Sequence, residues 1–395
     1  MKILFLAHRI PYPPNKGDKI RSYQVLKYLA SRHEVYLACL IDDDRDLRCV
    51  EDVRRIVSEV MYERINPWRQ RLAMLRALFT GMPLTVLHFY LPSFHQRLRA
   101  LMQKEKFDAL FVYSSNMAEY VKDVSIPVRV IDYCDLDSEK FKQYAEKVPS
   151  PFSWLYRLEG KRLAAYEKQA AEYFDHVIFI GPEESKLFAC NGFADKIALM
   201  SNGIDFERYA GPPLPALESK PYVLFTGAMD YLPNIDAAHW FASAIFPELR
   251  KHLPELRFYI AGSNPTSKIR RLHNPSRGVI VTGYVEDIRP YVKNARVFVA
   301  PMRIARGMQT KILEAMACGV PVVTSPAAAA GINGRHGQEV LVANTVADYV
   351  QQVLQLLTDA DMHERLRCQA FQFLREAFVW ERNLKILDSL LEKRN

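Results

Sequence analysis

Between Arg303 and Thr324 the sequence reads Arg-Ile-Ala-Arg-Gly-Met-Gln-Thr-Lys-Ile-Leu-Glu-Ala-Met-Ala-Cys-Gly-Val-Pro-Val-Val-Thr, and these residue types suit an anion site. The turn Gly307 to Thr310 is expected to lead into a short helix over Lys311 to Ala317, which Gly319 closes before a buried strand, Val320 to Thr324. An opening helix turn presents unpaired amides and the positive end of the helix dipole. Lys311 adds a cation in that turn. There it opposes the dipole unless an anion faces it, so its position argues for a phosphate partner. Glu314, one turn on, can accept from sugar or ribose hydroxyls. Packing accounts for Ala315, Met316 and Ala317, but not for the two charges or the turn ahead of them.

The run Lys311-Ile-Leu-Glu-Ala-Met-Ala-Cys-Gly-Val-Pro-Val-Val resembles the signature of the group 1 glycosyltransferases (glycosyltransferase family 4), two-domain enzymes of the GT-B fold that use nucleotide-sugars. The resemblance implies that Gly307, Met308, Gln309 and Thr310 bind the donor diphosphate and that Glu314 binds the ribose. The family usually has a second Glu eight residues earlier, directed at the donor sugar, and here that position is Arg306. Relatives also carry Arg and Lys shortly after a glycine matching Gly227, where this chain has Met229, Asp230 and Tyr231. The spacing leaves Arg303, Arg306 and Lys311 to supply the missing charge. The variant Gly-x-Met-x-Tyr-x-Pro-Asn at Gly227 to Asn234 resembles a subgroup associated with bacterial exopolysaccharide production.

The elements that must position these residues follow from length and pattern. At 395 residues the chain exceeds one ordinary core, and two domains fit. Near-continuous apolar runs at Lys2 to Ala7, Glu34 to Leu40, Ala109 to Tyr113, Val128 to Tyr133, His176 to Ile180 and Ile197 to Ser201 read as parallel strands covered on both faces, with helices between them. The pattern restarts at Tyr222 to Thr226, Arg257 to Ala261 and Val279 to Thr282, each leading into a glycine: Gly227, Gly262 and Gly283. The expected architecture is α/β, a GT-B pair of Rossmann-like domains whose parallel sheets face across a cleft. The divisions are 1–205 for an acceptor-side domain, 206–220 for a linker, 221–376 for a donor-side domain and 377–395 for a final helix that, by the resemblance, crosses back to the first domain. The resemblance also places the nucleotide base against backbone groups near Tyr284 and Val285 and the diphosphate near Gly227, and Gly262, on the same rim, is a further donor-binding candidate.

In the first domain, Gly17 follows a Pro-rich turn and has no side chain to hold a phosphate off. Lys16, Lys19 and Arg21 add positive charge there, and the plain alternative is a surface turn with solvated charges. Asp132-Tyr-Cys-Asp-Leu-Asp-Ser-Glu falls at or past a strand end, where α/β ligand sites lie. Asp135 is open between orienting sugar hydroxyls and capping a helix, and Asp137 and Ser138 read as caps. Between Met61 and Ala100 six arginines interleave with aromatic and apolar residues. One reading is a face resting on anionic lipid, and the other is an amphipathic helix with a solvated basic side.

Net charge +8 favours anionic partners, and without a nucleic-acid motif nucleotide phosphates and membrane rank above nucleic acid. The six cysteines are scattered, without metal-ligand spacing, and read as free, buried thiols. A strand at the very start and the lack of a long apolar run lead to the expectation of a cytoplasmic protein, at most peripheral to a membrane. The expected reaction is transfer of a sugar from a nucleoside diphosphate to a sugar or lipid-linked acceptor. Lys311, Arg306 and Asp135 are the candidate catalytic residues, and neither cofactor nor metal is expected. Retention of configuration is implied by the resemblance alone. The alternatives are a nucleotide-sugar epimerase of the same fold and a non-catalytic binding protein. A dehydrogenase ranks last, because no Gly-x-Gly-x-x-Gly follows the first strand.

Overall fold

The structure is a computed structural model, and it describes residues 1–395 except 69–79, 149, 151, 213, 216–219, 306 and 393–395. The chain divides into two compact units, Met1–Asn202 with Glu381–Asn395, and Gly203–Trp380.

The first unit holds a seven-stranded sheet of β1 (Lys2–Ala7), β2 (Glu34–Ile41), β3 (Glu59–Arg64), β4 (Ala109–Tyr113), β5 (Val128–Cys134), β6 (His176–Phe179) and β7 (Ile197–Leu199), in the order β3-β2-β1-β4-β5-β6-β7. Every pairing is parallel. Ile3 to Ala7 are wholly buried, as a strand covered by helices on both faces requires. The second unit holds six strands, β8 (Tyr222–Thr226), β9 (Arg257–Ala261), β10 (Val279–Gly283), β11 (Val297–Ala300), β12 (Val322–Thr324) and β13 (Leu341–Val342), again all parallel, in the order β10-β9-β8-β11-β12-β13.

In each sheet the strand order reverses once beside the unit's first strand, between β1 and β4 and between β8 and β11. Connections leave such neighbours toward opposite faces, so a crevice opens at the strand exits, where doubly wound folds bind ligands.

Several boundaries differ from the sequence reading. The segment 206–220, expected as a linker, begins with a helix, Phe206–Tyr209, that belongs to the second unit. The return to the first unit comes at Glu381, as two short helices, Trp380–Asn383 and Ile386–Leu391. Lys19 and Arg21, expected to offer charge to a ligand, are buried. Lys19 Nζ donates to Asp46 at 2.6 Å and Arg21 grips Asp132 with two nitrogens at 2.7 and 3.1 Å. Asp137 and Ser138 make no side-chain cap, because Glu167 of a neighbouring helix accepts from the Ser138 amide at 3.1 Å and from its hydroxyl at 2.5 Å. The cysteines are free, but Cys190 and Cys368 are exposed rather than buried.

Candidate active site

In the second unit the loop after β11 runs into the helix Thr310–Ala317, and the exit of β8 lies beside it at the switch point. Ile312, Leu313, Ala315 and Met316 are fully buried, which fixes the helix on the sheet and leaves Lys311 and Glu314 on its half-buried side. Its first turn contains no acid, and Gln309 at the N-cap makes no side-chain cap bond. No N-cap side chain competes for the amide end, where the Ile312 amide donates to the Gln309 carbonyl at 2.9 Å. Gly307 is held at φ 61°, and a Cβ at Gly331 would fall 2.3 Å from its carbonyl oxygen, so the turn is packed down on the backbone of a later helix.

Lys311 Nζ donates to Asn234 Oδ1 at 2.5 Å and stands 4.5 Å from the Phe225 ring centroid. Neither partner is charged. Burial pushes its pKa down to about 7, and Glu314 opposes this in part. Asn234 is turned by its own donation to the Ala228 carbonyl at 2.9 Å. A Cβ at Gly227 would meet Asn234 at 2.6 Å and the Lys311 ammonium at 3.0 Å, so this glycine keeps the space at the ammonium open. Gly262 backs it. A Cβ there would lie 1.8 Å from the Gly227 carbonyl oxygen, and its amide reaches the Gly283 carbonyl at 3.2 Å. Gly227 and Gly262 both have positive φ, 154° and 149°.

Glu314 Oε1 accepts from the Tyr209 hydroxyl at 2.9 Å. Burial raises the Glu314 pKa, and the Tyr209 bond opposes this by favouring the carboxylate. A lysine without a charged hydrogen-bond partner and a carboxylate one turn later thus line the loop that the amides open onto.

At the switch point of the first unit, His8 follows β1 and stacks on Tyr113 at the end of β4, with ring centroids 5.7 Å apart. His8 Nε2 lies 3.4 Å from Asp18, whose carboxylate also takes Arg9 at 2.6 Å. Burial would raise the Asp18 pKa, but His8 and Arg9 hold it well below the usual range. Asn116 follows β4, and its Nδ2 donates to Ser114 Oγ at 3.2 Å. Asp135 follows β5. None of His8 Nδ1, Asn116 Oδ1 and Asp135 Oδ1 has a hydrogen-bond partner among the described residues. These three buried polar atoms sit at the exits of three neighbouring strands, where Ser114 and Cys134 also adopt positive φ, 79° and 63°. Burial, with the Glu184 charge behind it, pushes the Asp135 pKa up to about 7. Asp132 is unavailable for such a role, since both its oxygens are taken by Arg21 and one also by the Cys134 amide at 3.0 Å. Gly17 opens the helix Gly17–Ala30 and is exposed, with nothing within 4 Å of a Cβ built there.

The family described as glycosyl transferases group 1 matches residues 220–359, which include β8 to β13 and the Lys311 helix. The matched residues lie within the second unit. Over most of its length the chain is similar to a Klebsiella pneumoniae protein described as an uncharacterized 44.6 kDa protein in the cps region. They are 22% identical, over 95% of this chain and 96% of that one. It is also similar in structure to sucrose-phosphate synthase from Thermosynechococcus elongatus (TM-score 0.75, 18% identical, 99% of this chain and 98% of that one). HepE of Anabaena, solved in complex with UDP and glucose, superposes with a TM-score of 0.70 at 15% identity, over 99% of each chain. The fold is that of the GT-B class, two Rossmann-like units with parallel sheets.

Within the second unit the remaining candidates are unevenly placed. Arg303 pairs with Asp236, its Nε at 2.9 Å, and lies 5.2 Å from the Trp240 ring centroid, so its charge is already shared with a carboxylate. Arg306 lies outside the described residues. Met308 packs against the core, and Thr310 is the first residue of the helix. Tyr284, just past β10, exposes 76% of its surface, an unusual state for so large a ring, and Val285 beside it is half-buried. Two contributors escaped the sequence reading. Asn234 was visible only as part of a motif, and Tyr209 stood in what read as a linker, with no local signal that it would meet Glu314 105 positions later.

Proposed function

We propose that the protein transfers a sugar from a nucleoside diphosphate to a sugar acceptor in the synthesis of a bacterial surface polysaccharide. The observation that carries this reading is Lys311, a half-buried ammonium whose hydrogen-bond and ring partners among the described residues, the Asn234 amide and the Phe225 ring, are neutral, at the amide end of its helix. A diphosphate supplies the missing negative charge. As the bond from the anomeric carbon to the phosphate oxygen breaks, charge grows on that oxygen, and a fixed ammonium with aligned amides stabilises it more than it does the bound donor. Glu314, steadied by Tyr209, is the group for the ribose hydroxyls, and exposed Tyr284 and Val285 are those for the base.

The first unit takes the acceptor. With Asn116 Nδ2 turned to Ser114, the atoms without a partner among the described residues, His8 Nδ1, Asn116 Oδ1 and Asp135 Oδ1, suit sugar hydroxyls, which both donate and accept. Asp135, with a pKa near 7, orients the attacking hydroxyl. The complex of HepE with UDP and glucose and the cps-region relative support the donor and the pathway respectively. The resemblance to family 4 extends the reading to retention at the anomeric carbon, to transfer without a metal or cofactor, and to a cytoplasmic enzyme.

Incubation with UDP-, GDP- and ADP-sugars, without acceptor, tests this. Slow release of one nucleoside diphosphate with free sugar is the expected result, since water can replace the acceptor. An isomerised nucleotide-sugar would identify an epimerase, and a donor that is bound but unchanged would identify a binding protein.

A further inference from the structure

The helices Asp137–Lys147 and Phe152–Glu172 fold back on each other as an antiparallel hairpin. At its base Ser138 donates to Glu167 and its carbonyl faces Gly160, and near its tip Ser153 Oγ donates to the Ala145 carbonyl at 2.7 Å. The first helix leaves from the exit of β5, and the second returns to the start of β6, which is parallel to β5. The tip therefore stands beyond the strand exits of the first sheet, about 10 Å past Ser138 for seven residues of helix.

That tip is apolar where water should meet it. Phe152 and Trp154 are 61% and 65% exposed. The long helix sorts its charges by face. Glu159 is buried and accepts from the Leu84 and Thr85 amides at 2.8 and 2.9 Å, and Glu167 is buried against Ser138, while Arg157, Lys161 and Lys168 are exposed, as is Glu172 at the end far from the tip. On the shorter helix Lys140 pairs with Asp137 and Lys142 with Glu139, which leaves Glu146 as an exposed acid near the tip. The segment 61–100, read from sequence as the basic lipid-facing candidate, behaves differently. Its described arginines Arg64, Arg97 and Arg99 each lie against an acid, Asp44, Glu63 and Asp123. The others, Arg69, Arg71 and Arg76, lie outside the described residues.

We propose that the hairpin tip docks the protein on an anionic lipid surface. Phe152 and Trp154 enter the headgroup layer while Arg157 and Lys161 face its phosphates. An aromatic end followed within two turns by exposed Arg157 and Lys161 matches that surface in both polarity and sign, as it does not match an apolar protein groove; the exposed acid Glu172 lies at the far end of the helix. The inference stands whether or not the transferase reading does.

Flotation of the full chain tests it, with vesicles of phosphatidylcholine alone and of phosphatidylcholine with phosphatidylglycerol. Binding is expected only to the second and should weaken with salt. It should fall about tenfold or more in Phe152→Ser/Trp154→Ser and in Arg157→Glu/Lys161→Glu. All four residues are on the surface, so both variants should unfold at the wild-type temperature. Absence of flotation by the wild type would overturn the proposal, as would equal flotation of the variants. Self-association without lipid that is lost in Trp154→Ser would also overturn it, and would make the tip a protein contact.

Discussion

Lys311→Ala should lower kcat about 10²–10³-fold, the usual cost of removing one fixed group that stabilises a developing anion. The loss should fall on kcat and kcat/KM together, because the charge on the leaving oxygen is largest in the transition state. Stability should move little or improve. Burial holds the ammonium at a pKa of about 7 against an ordinary value of 10.5, so the folded chain binds this proton less tightly than the unfolded one. Between those values the unfolded state carries the extra proton, and stability rises with pH. Lys311→Ala removes that rise. Binding of a diphosphate runs the other way, since it needs the proton. Affinity should fall as pH climbs above about 7, at most about tenfold per unit. Urea unfolding and nucleotide titration at neutral and alkaline pH, on both proteins, separate the two effects. A variant with wild-type turnover would remove Lys311 from the chemistry.

Arg21→Met should cost about 3–5 kcal/mol of stability, because it strips the partner from a carboxylate that has no access to water. Asp132 is 0% and Arg21 1% exposed, and the pair is bidentate. Arg21 also donates to the Met200 carbonyl at 2.8 Å and to Asn202 Oδ1 at 2.7 Å, while the Asn202 carbonyl accepts from Asn383 at 3.1 Å. One guanidinium thus gathers the helix after β1, the end of β5, the last residues before the chain leaves this unit and the segment that returns to it. The double variant Arg21→Met/Asp132→Leu should recover much of the loss, since two apolar groups leave no buried charge. Equal instability of the single and double variants in urea would show that the Met200 and Asn202 bonds, and not the ion pair, carry the cost.

The sequence was readable where both faces of an element are buried and where a motif is local. Lys2 to Ala7 and Tyr222 to Thr226 form strands over the expected residues because continuous apolar runs leave no alternative face. The Lys311 helix began one residue early, at Thr310. β3 was missed because this edge strand carries Glu59, Glu63 and Arg64, which break an apolar run. β11 was missed although its four residues, Val297–Ala300, are all buried. Long-range partners could not be read. Charge on Lys19 and Arg21 looked like solvent-facing charge, because nothing nearby in sequence announces Asp46 or Asp132. Tyr209 and His8 acquire their places only when distant strands bring Glu314 and Tyr113 beside them.

The central claim is that the turn at Gly307 to Thr310, with Lys311, binds a nucleoside diphosphate. Calorimetric titration of UDP, GDP, ADP and TDP, each against its bare nucleoside, into wild type and Lys311→Ala tests it most directly. One diphosphate should bind the wild type at least about tenfold more tightly than its nucleoside, and most of that difference should vanish in Lys311→Ala. No binding of any diphosphate, or equal affinity for diphosphate and nucleoside, would contradict the account, as would a variant that binds as the wild type does.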